Sequence, residues 1–384
     1  MIDIRFARHG GKMEASVKEI KALTGVRGVA ATLVMLGHFL PTAPKLAGSL
    51  PTIIERSYLG VDLFFVLSGF VLAMNYGERF AEGTVASEYK LFLIKRLARI
   101  YPLYFVITIV FSIKYLVNFS GDIPRIYGVA DFVACLLMVQ TWGAGFTNVT
   151  GQTWSLSTEF FAYLVFPAYC FFLRSPRAAL MCVPIFALLI FLVASSRLGV
   201  LGSLDVVEPT SLLPLVRCLA GFGLGVAAHT TVKNVQPSKA TVSLLLTALV
   251  LIIVVLFWMK APDPIIFLTL PLLVCLLYFG SGAGEIAFGN PIVHRLGVIS
   301  YSIYLVHPLF RPAIKRADLI FGGIVGPALS LEVAVIVCVI GTFVCSEMLY
   351  RLVEVPGRLL LSRRTGTARI ERSDLLPQKP TQPD

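Results

Sequence analysis

The chain reads as a succession of apolar runs, each near the length of a membrane crossing and separated by short polar loops. The runs fall near 22–40, 60–76, 98–118, 154–173, 178–195, 212–230, 240–259, 264–280, 294–312 and 325–350. A transmembrane helix needs roughly 20 predominantly apolar residues. An eleventh run, 128–142, is shorter. The pattern predicts an all-α polytopic membrane protein of about ten transmembrane helices plus one short re-entrant or interfacial segment. Residues 1–21 are expected to form a polar, basic cytoplasmic segment, 22–358 the membrane domain, and 359–384 a disordered cytoplasmic tail.

Composition agrees with the pattern. Of 384 residues 57% are hydrophobic and only 14% charged, with a mean hydropathy of +0.81. A soluble domain carries about a quarter charged residues. There is no large polar insertion, so any chemistry takes place within or at the membrane. A net charge of +11 would suggest nucleic acid in a soluble protein; here it reads as orientation charge on inward-facing loops, with no nucleic-acid partner. The seven cysteines, 135, 170, 182, 218, 275, 338 and 345, all lie in apolar runs without C-x-x-C spacing. They read as small hydrophobes rather than disulfides or metal ligands, and no metal is expected.

Loop charges set the topology. With ten crossings and 128–142 not crossing, Lys and Arg concentrate on the side of the N-terminus; if 128–142 also crossed, the two sides would be nearly balanced. The positive-inside rule favours ten crossings with both termini cytoplasmic, although Arg311, Lys315 and Arg316 then lie on the outer side. Trp142, Trp154 and Trp258 fall near the outer interface, where an aromatic belt places them. Two polar clusters follow: an inner one of Arg27, Arg96 and Arg99, and an outer one of His38, Asp62, Glu159 and His307.

Ionisable residues inside a membrane are expensive and usually face a cavity, a partner or a reaction path. LTGVRGVAATLVMLGHFL (23–40) carries two of them, Arg27 and His38, with ten residues between them. On a helix they sit roughly 16 Å apart along the axis. His38 has the side chain for a general base, for which Asp62 or Glu159 could fix the tautomer; the plain alternative is a histidine satisfied by a backbone carbonyl. KRLARIYPLY (95–104) puts Arg96 and Arg99 on one helix face, as an anchor or as a phosphate clamp suited to arginine's planar fork. Ser68 in GVDLFFVLSGFVL (60–72) suits close helix packing, and Asp62 suits a helix N-terminus. TWSLSTEFFAYLVFP (153–167) buries Glu159 behind Trp154, either as a site carboxylate or paired with Arg217. LGVISYSIYLVHPL (296–309) sets Tyr301, Tyr304 and His307 in a polar stripe, for inter-helix bonding or for a substrate. Glu354 and Arg358 read as a surface pair of little worth.

Six segments in this order resemble the acyltransferase-3 family of integral membrane acyltransferases: RGVAATLVMLGH (27–38), GVDLFFVLSGF (60–70), RLARIYPLY (96–104), WSLSTEFF (154–161), LGVISYSIYLVH (296–307) and EVPGR (354–358). The resemblance implies a ten-helix bacterial inner-membrane enzyme that takes an acyl group, usually acetyl, from cytoplasmic acyl-CoA. It passes the group to a hydroxyl of an extracytoplasmic or lipid-linked glycan or another acceptor. It implies a catalytic role for His38 and a need for Arg27, and it maps the family's basic motif onto Arg96 and Arg99 and its glutamate onto Glu159. The depths read from the topology add Asp62 beside the base and donor binding by Arg96, Arg99 and Arg27, with the donor arm threading the bundle towards His38. Trp154, Ser68, Tyr301, Tyr304 and His307 are the expected substrate-side residues, Tyr304 or Ser68 as oxyanion donor and His307 as the next candidate base. Direct transfer and a covalent acyl-His38 intermediate both remain open. Thr158 departs from the family, which commonly has a small apolar residue there. Some relatives carry a C-terminal hydrolase-like domain; none is expected here. The competing class is a proton-coupled transporter of a small solute or glycan, since buried His, Asp and Glu also mark proton relays.

Overall fold

The computed structural model describes residues 4–9, 12–17, 19–43, 51–116, 128–280, 282–326 and 329–363. Two short antiparallel strands, β1 (Ile4–His9) and β2 (Lys12–Val17), precede the helices and occupy most of the segment expected to be merely polar. Helices follow as α1 (Lys21–Phe39), α2 (Thr52–Glu55), α3 (Leu59–Ala81), α4 (Ala86–Leu116) and α5 (Val129–Leu136). Next come α6 (Trp154–Phe172), α7 (Pro176–Ser195), α8 (Leu213–Val232), α9 (Lys239–Trp258) and α10 (Asp263–Tyr278). The remainder is α11 (Gly282–Ala287), α12 (Pro291–Val298), α13 (Ser300–Val325), α14 (Ser330–Leu349), a π-helical turn (Tyr350–Glu354) and α15 (Val355–Arg363).

Eight of the described helices are long and apolar enough to cross a membrane: α1, α3, α4, α6, α7, α8, α9 and α14 with its extension. The other two expected crossings fall on α10, which is apolar but only 16 residues long, and on α12–α13. The 128–142 run forms only the eight-residue α5, roughly 12 Å of helix against a hydrocarbon core of about 30 Å. Met138 then takes a left-handed φ of 58° and the chain doubles back. Gln140 donates to Tyr104 Oη (3.3 Å) and the Trp142 indole to Ser157 O (3.1 Å), which ties the segment over α4 and α6. The expected tail begins as helix, since α15 runs to Arg363; 364–384 lie outside the described residues.

Local chemistry explains the boundaries. Ser175 and Ser238 cap α7 and α9 by accepting from Ala178 N and Thr241 N. Asn290 caps α12 in the same way through Val293 N, with Pro291 at the first helical position. The 294–312 run is split: Ile299 leaves helical geometry between α12 and α13. Gly297 lies directly against Thr24 O and Gly28 of α1, an approach that only a residue without Cβ permits. Further along, His38 meets His307, so α1 and α13 run side by side in the same direction.

The α3–α8 crossing is equally close. A Cβ on Gly69 would overlap Phe222 O, and one on Gly225 would overlap Val66 O. Gly69→Val is therefore expected to force the two helices apart and lower the thermal stability of the detergent-solubilised protein by about 1–3 kcal/mol. Gly323→Ala is the control, because nothing lies within 4 Å of its added methyl. Equal melting of both variants and wild type would disprove the packing account.

Candidate active site

A cavity of about 940 Å³, its open mouth included, lies between α1, α3, α4, α6 and α13. One end is cationic, with Arg27 from α1 and Arg96 and Arg99 from α4. Arg96 leans on Tyr76, its guanidinium carbon 5.5 Å from the ring centre and Nη2 3.4 Å from the hydroxyl. Its buried Nε has no partner. Among the described residues neither Arg27 nor Arg99 makes a hydrogen bond or ion pair. The charges of Glu159, Glu354 and Arg358 act on Arg27.

Glu159 lines the cavity wall. Its Oε1 accepts from Ser68 Oγ at 2.5 Å and from Tyr163 Oη at 2.6 Å. The Ser68 proton is thus committed to Glu159, which leaves that hydroxyl nothing to donate to an oxyanion. Tyr163 was not singled out in the sequence, although it sits four residues after Glu159 on the same helix face.

The far end is closed by Tyr304. Its hydroxyl donates to Gln152 O (2.9 Å) and accepts from Ser155 Oγ (2.8 Å). His307 follows one turn later, with its ring centre 6.0 Å from that of Tyr304. The His38 ring is 5.1 Å beyond that of His307. His38 does not line the cavity. Tyr304 and His307 therefore stand between His38 and the arginine end of the cavity.

Among the described residues no carboxylate hydrogen-bonds His38. Its Nδ1 lies 2.8 Å from Val34 O, and a carbonyl only accepts, so Nδ1 carries the proton and Nε2 the lone pair. Asp62, expected beside it, faces Arg217 of α8 instead. The Arg217 Nε and Nη2 each donate to one Asp62 oxygen at 2.7 Å, and both side chains are fully buried. The Arg217 partner is thus Asp62 rather than Glu159. Trp154 does not line the cavity either; it packs beneath the Arg217 guanidinium (5.2 Å) and against Phe65. Tyr301 lines the cavity, but its hydroxyl is tied to Ile100 O.

Glu354 corrects the expectation of a surface pair. It is only 1% exposed, accepting from Ser302 Oγ (3.1 Å) on one oxygen and from Arg358 Nη2 (2.9 Å) on the other. The π-helical turn brings it beneath α13, where it acts electrostatically on Arg27 and Arg99. Four arginines and two glutamates thus converge at one end of the cavity. A surplus of buried positive charge of this kind suits a polyanion.

These features define a multi-pass helical membrane protein with a cation-mouthed cavity and a histidine pair beyond its far end. The acyltransferase-3 family profile, described as an acyltransferase domain, matches residues 20–347, and the chain belongs to that family of membrane acyltransferases. Acyltransferase MdmB of Streptomyces mycarofaciens is 28% identical over 93% of this chain and 96% of its own. Protein 2 in the picA locus of Rhizobium radiobacter is 49% identical over 21% of this chain and 38% of its own. Peptidoglycan O-acetyltransferase OatA of Listeria monocytogenes is 28% identical over 40% of this chain and 24% of its own. No solved structure matches. Family membership decides for an enzyme against the transporter alternative.

Proposed function

We propose that this acyltransferase moves an acyl group, acetyl in the first instance, from cytoplasmic acyl-CoA to a hydroxyl of an extracytoplasmic or lipid-linked glycan, with His38 as general base. The observation that carries the reading is the cationic end of the cavity, where Arg27 and Arg99 have no hydrogen-bond or ion-pair partner among the described residues while lining open space. Guanidinium forks of this kind fit phosphate oxygens, and the head of acyl-CoA supplies several. Its thin arm then extends along the Glu159 wall towards Tyr304. The His38 Nε2, which carries the lone pair, takes the proton of the acceptor hydroxyl as that oxygen attacks the thioester carbonyl. In this reading the Tyr304 ring turns aside when the donor arm is in place, and its hydroxyl, released from Gln152 O, becomes the oxyanion donor. A glycan acceptor draws support from the peptidoglycan O-acetyltransferase among the relatives. The positive-inside pattern supports an inner-membrane location with both termini cytoplasmic.

The donor half is tested with [14C]acetyl-CoA and membranes from host cells deleted for the chromosomal copy and expressing single variants. Arg99→Ala and Arg27→Ala are each expected to raise KM for acetyl-CoA about tenfold to a hundredfold, the worth of one or two charge-assisted hydrogen bonds. Arg99→Lys should fall between, since lysine keeps the charge without the fork. An unchanged KM in both alanine variants would remove the arginines from donor binding.

A further inference from the structure

The two histidines of the α1–α13 contact share one tautomer. The His307 Nδ1 lies 3.2 Å from Ile303 O as the His38 Nδ1 lies 2.8 Å from Val34 O, in each case the carbonyl four residues back on its own helix. Both Nδ1 atoms are therefore donors and both Nε2 atoms bare acceptors. The two sites differ in access. His38 is half-buried, whereas His307 is 0% exposed and its Nε2 is sealed away with no partner. Buried polar atoms are seldom left unpaired. While both rings are neutral neither Nε2 can hydrogen-bond the other, because each is only an acceptor. With ring centres 5.1 Å apart and ring planes tilted by 40°, a proton on one ring and a small turn of that ring bring its N–H to the lone pair of the other.

We propose that His307 is the proton-holding partner of His38, its buried Nε2 accepting a hydrogen bond from the His38 imidazolium that forms during transfer. The proposal rests on the reading of His38 as the base and adds to it the group that keeps the abstracted proton. As the acceptor O–H bond breaks, the His38 Nε2 takes the proton, the acceptor oxygen forms its bond to the acyl carbon, and the C–S bond of the thioester opens. The proton stays on His38, whose Nε2–H turns to the His307 Nε2, until the departing thiolate takes it and both rings are neutral again. Other charged or titratable groups near the pair are few. Arg311, one turn on along α13, acts on both rings, and Asp205, in the loop before α8, acts on His38. Tyr304, one turn back, has its proton on Gln152 O.

The test uses the same membranes and [14C]acetyl-CoA, with His307→Leu, which removes the acceptor, and His307→Gln, which keeps one. His307→Leu is expected to slow label transfer about a hundredfold, with KM for acetyl-CoA unchanged. The acid limb of its pH–rate profile should move to lower pH, because the protonated form of His38 loses its hydrogen bond. His307→Gln should recover at least about a tenth of the wild-type rate and place the limb between the two. If His307→Leu does not accumulate, the glutamine variant alone decides by the position of its limb. A wild-type rate and limb in either variant, or a loss confined to KM, would overturn the pair while leaving acyl transfer in place. Wild-type membranes that incorporate no label would overturn the acyl-CoA reading, and the pair with it.

Discussion

His38→Ala is expected to abolish acyl transfer while the protein still reaches the membrane in wild-type amount. General-base catalysis contributes roughly 10²–10⁴ in rate, and among the described residues the other imidazole at this end of α1, that of His307, is fully buried. The structural loss is small by comparison. His38 is half-buried and makes a single hydrogen bond, to Val34 O, whose removal costs about 1 kcal/mol. Binding of acetyl-CoA should hold, since Arg27 lies roughly 16 Å away along the helix. His38→Asn sharpens the experiment, because it retains a polar side chain but no basic nitrogen and is expected to be equally inactive. Transfer of label from [14C]acetyl-CoA into membrane material reads the activity of both variants. Substantial label with either variant would move the base elsewhere, His307 first.

What the sequence discloses about this fold follows from how local each determinant is. The Arg27–His38 spacing is a property of one helix, so helical rise alone places the two groups at different depths. The apolar runs are likewise local. The boundaries read less well where a polar face belongs inside. α4 begins at Ala86 rather than near 98, because Lys90, Lys95 and Arg96 depress the hydropathy of a turn that is still helical. The split at Ile299 is hidden in a run that looks continuous, since it is imposed by the approach of Gly297 to α1. α13 continues to Val325 past Pro308 and Pro312, where a breaker would be read. Partner choice is the least legible feature. Arg217 reads as a partner for Glu159, yet it pairs with Asp62 across the α3–α8 crossing, which brings together residues 155 positions apart. The burial of Glu354 was equally hidden, because it depends on where the π-helical turn places the chain after α14.

Arg217→Ala is expected to cost about 3–5 kcal/mol of stability, the usual penalty for stranding a buried charge. Asp62 would keep its charge at 0% exposure with neither donor left, and Trp154 would lose the cation stacked on its ring. Asp62→Ala strands the guanidinium in the same way, and its Nη1 is already a buried nitrogen without a partner. Both single variants should accumulate poorly and melt early in detergent. The double replacement Asp62→Leu with Arg217→Met removes both charges at comparable volume, and such exchanges are often neutral or stabilising; it is expected to recover most of the lost stability. This double variant also decides what Asp62 is for. If the pair serves only to hold α3 against α8, the recovered protein transfers label from [14C]acetyl-CoA at near the wild-type rate. A stable double variant that transfers nothing would return Asp62 to the catalytic machinery, and a double variant no more stable than its parents would show that the pair is not what joins the two helices.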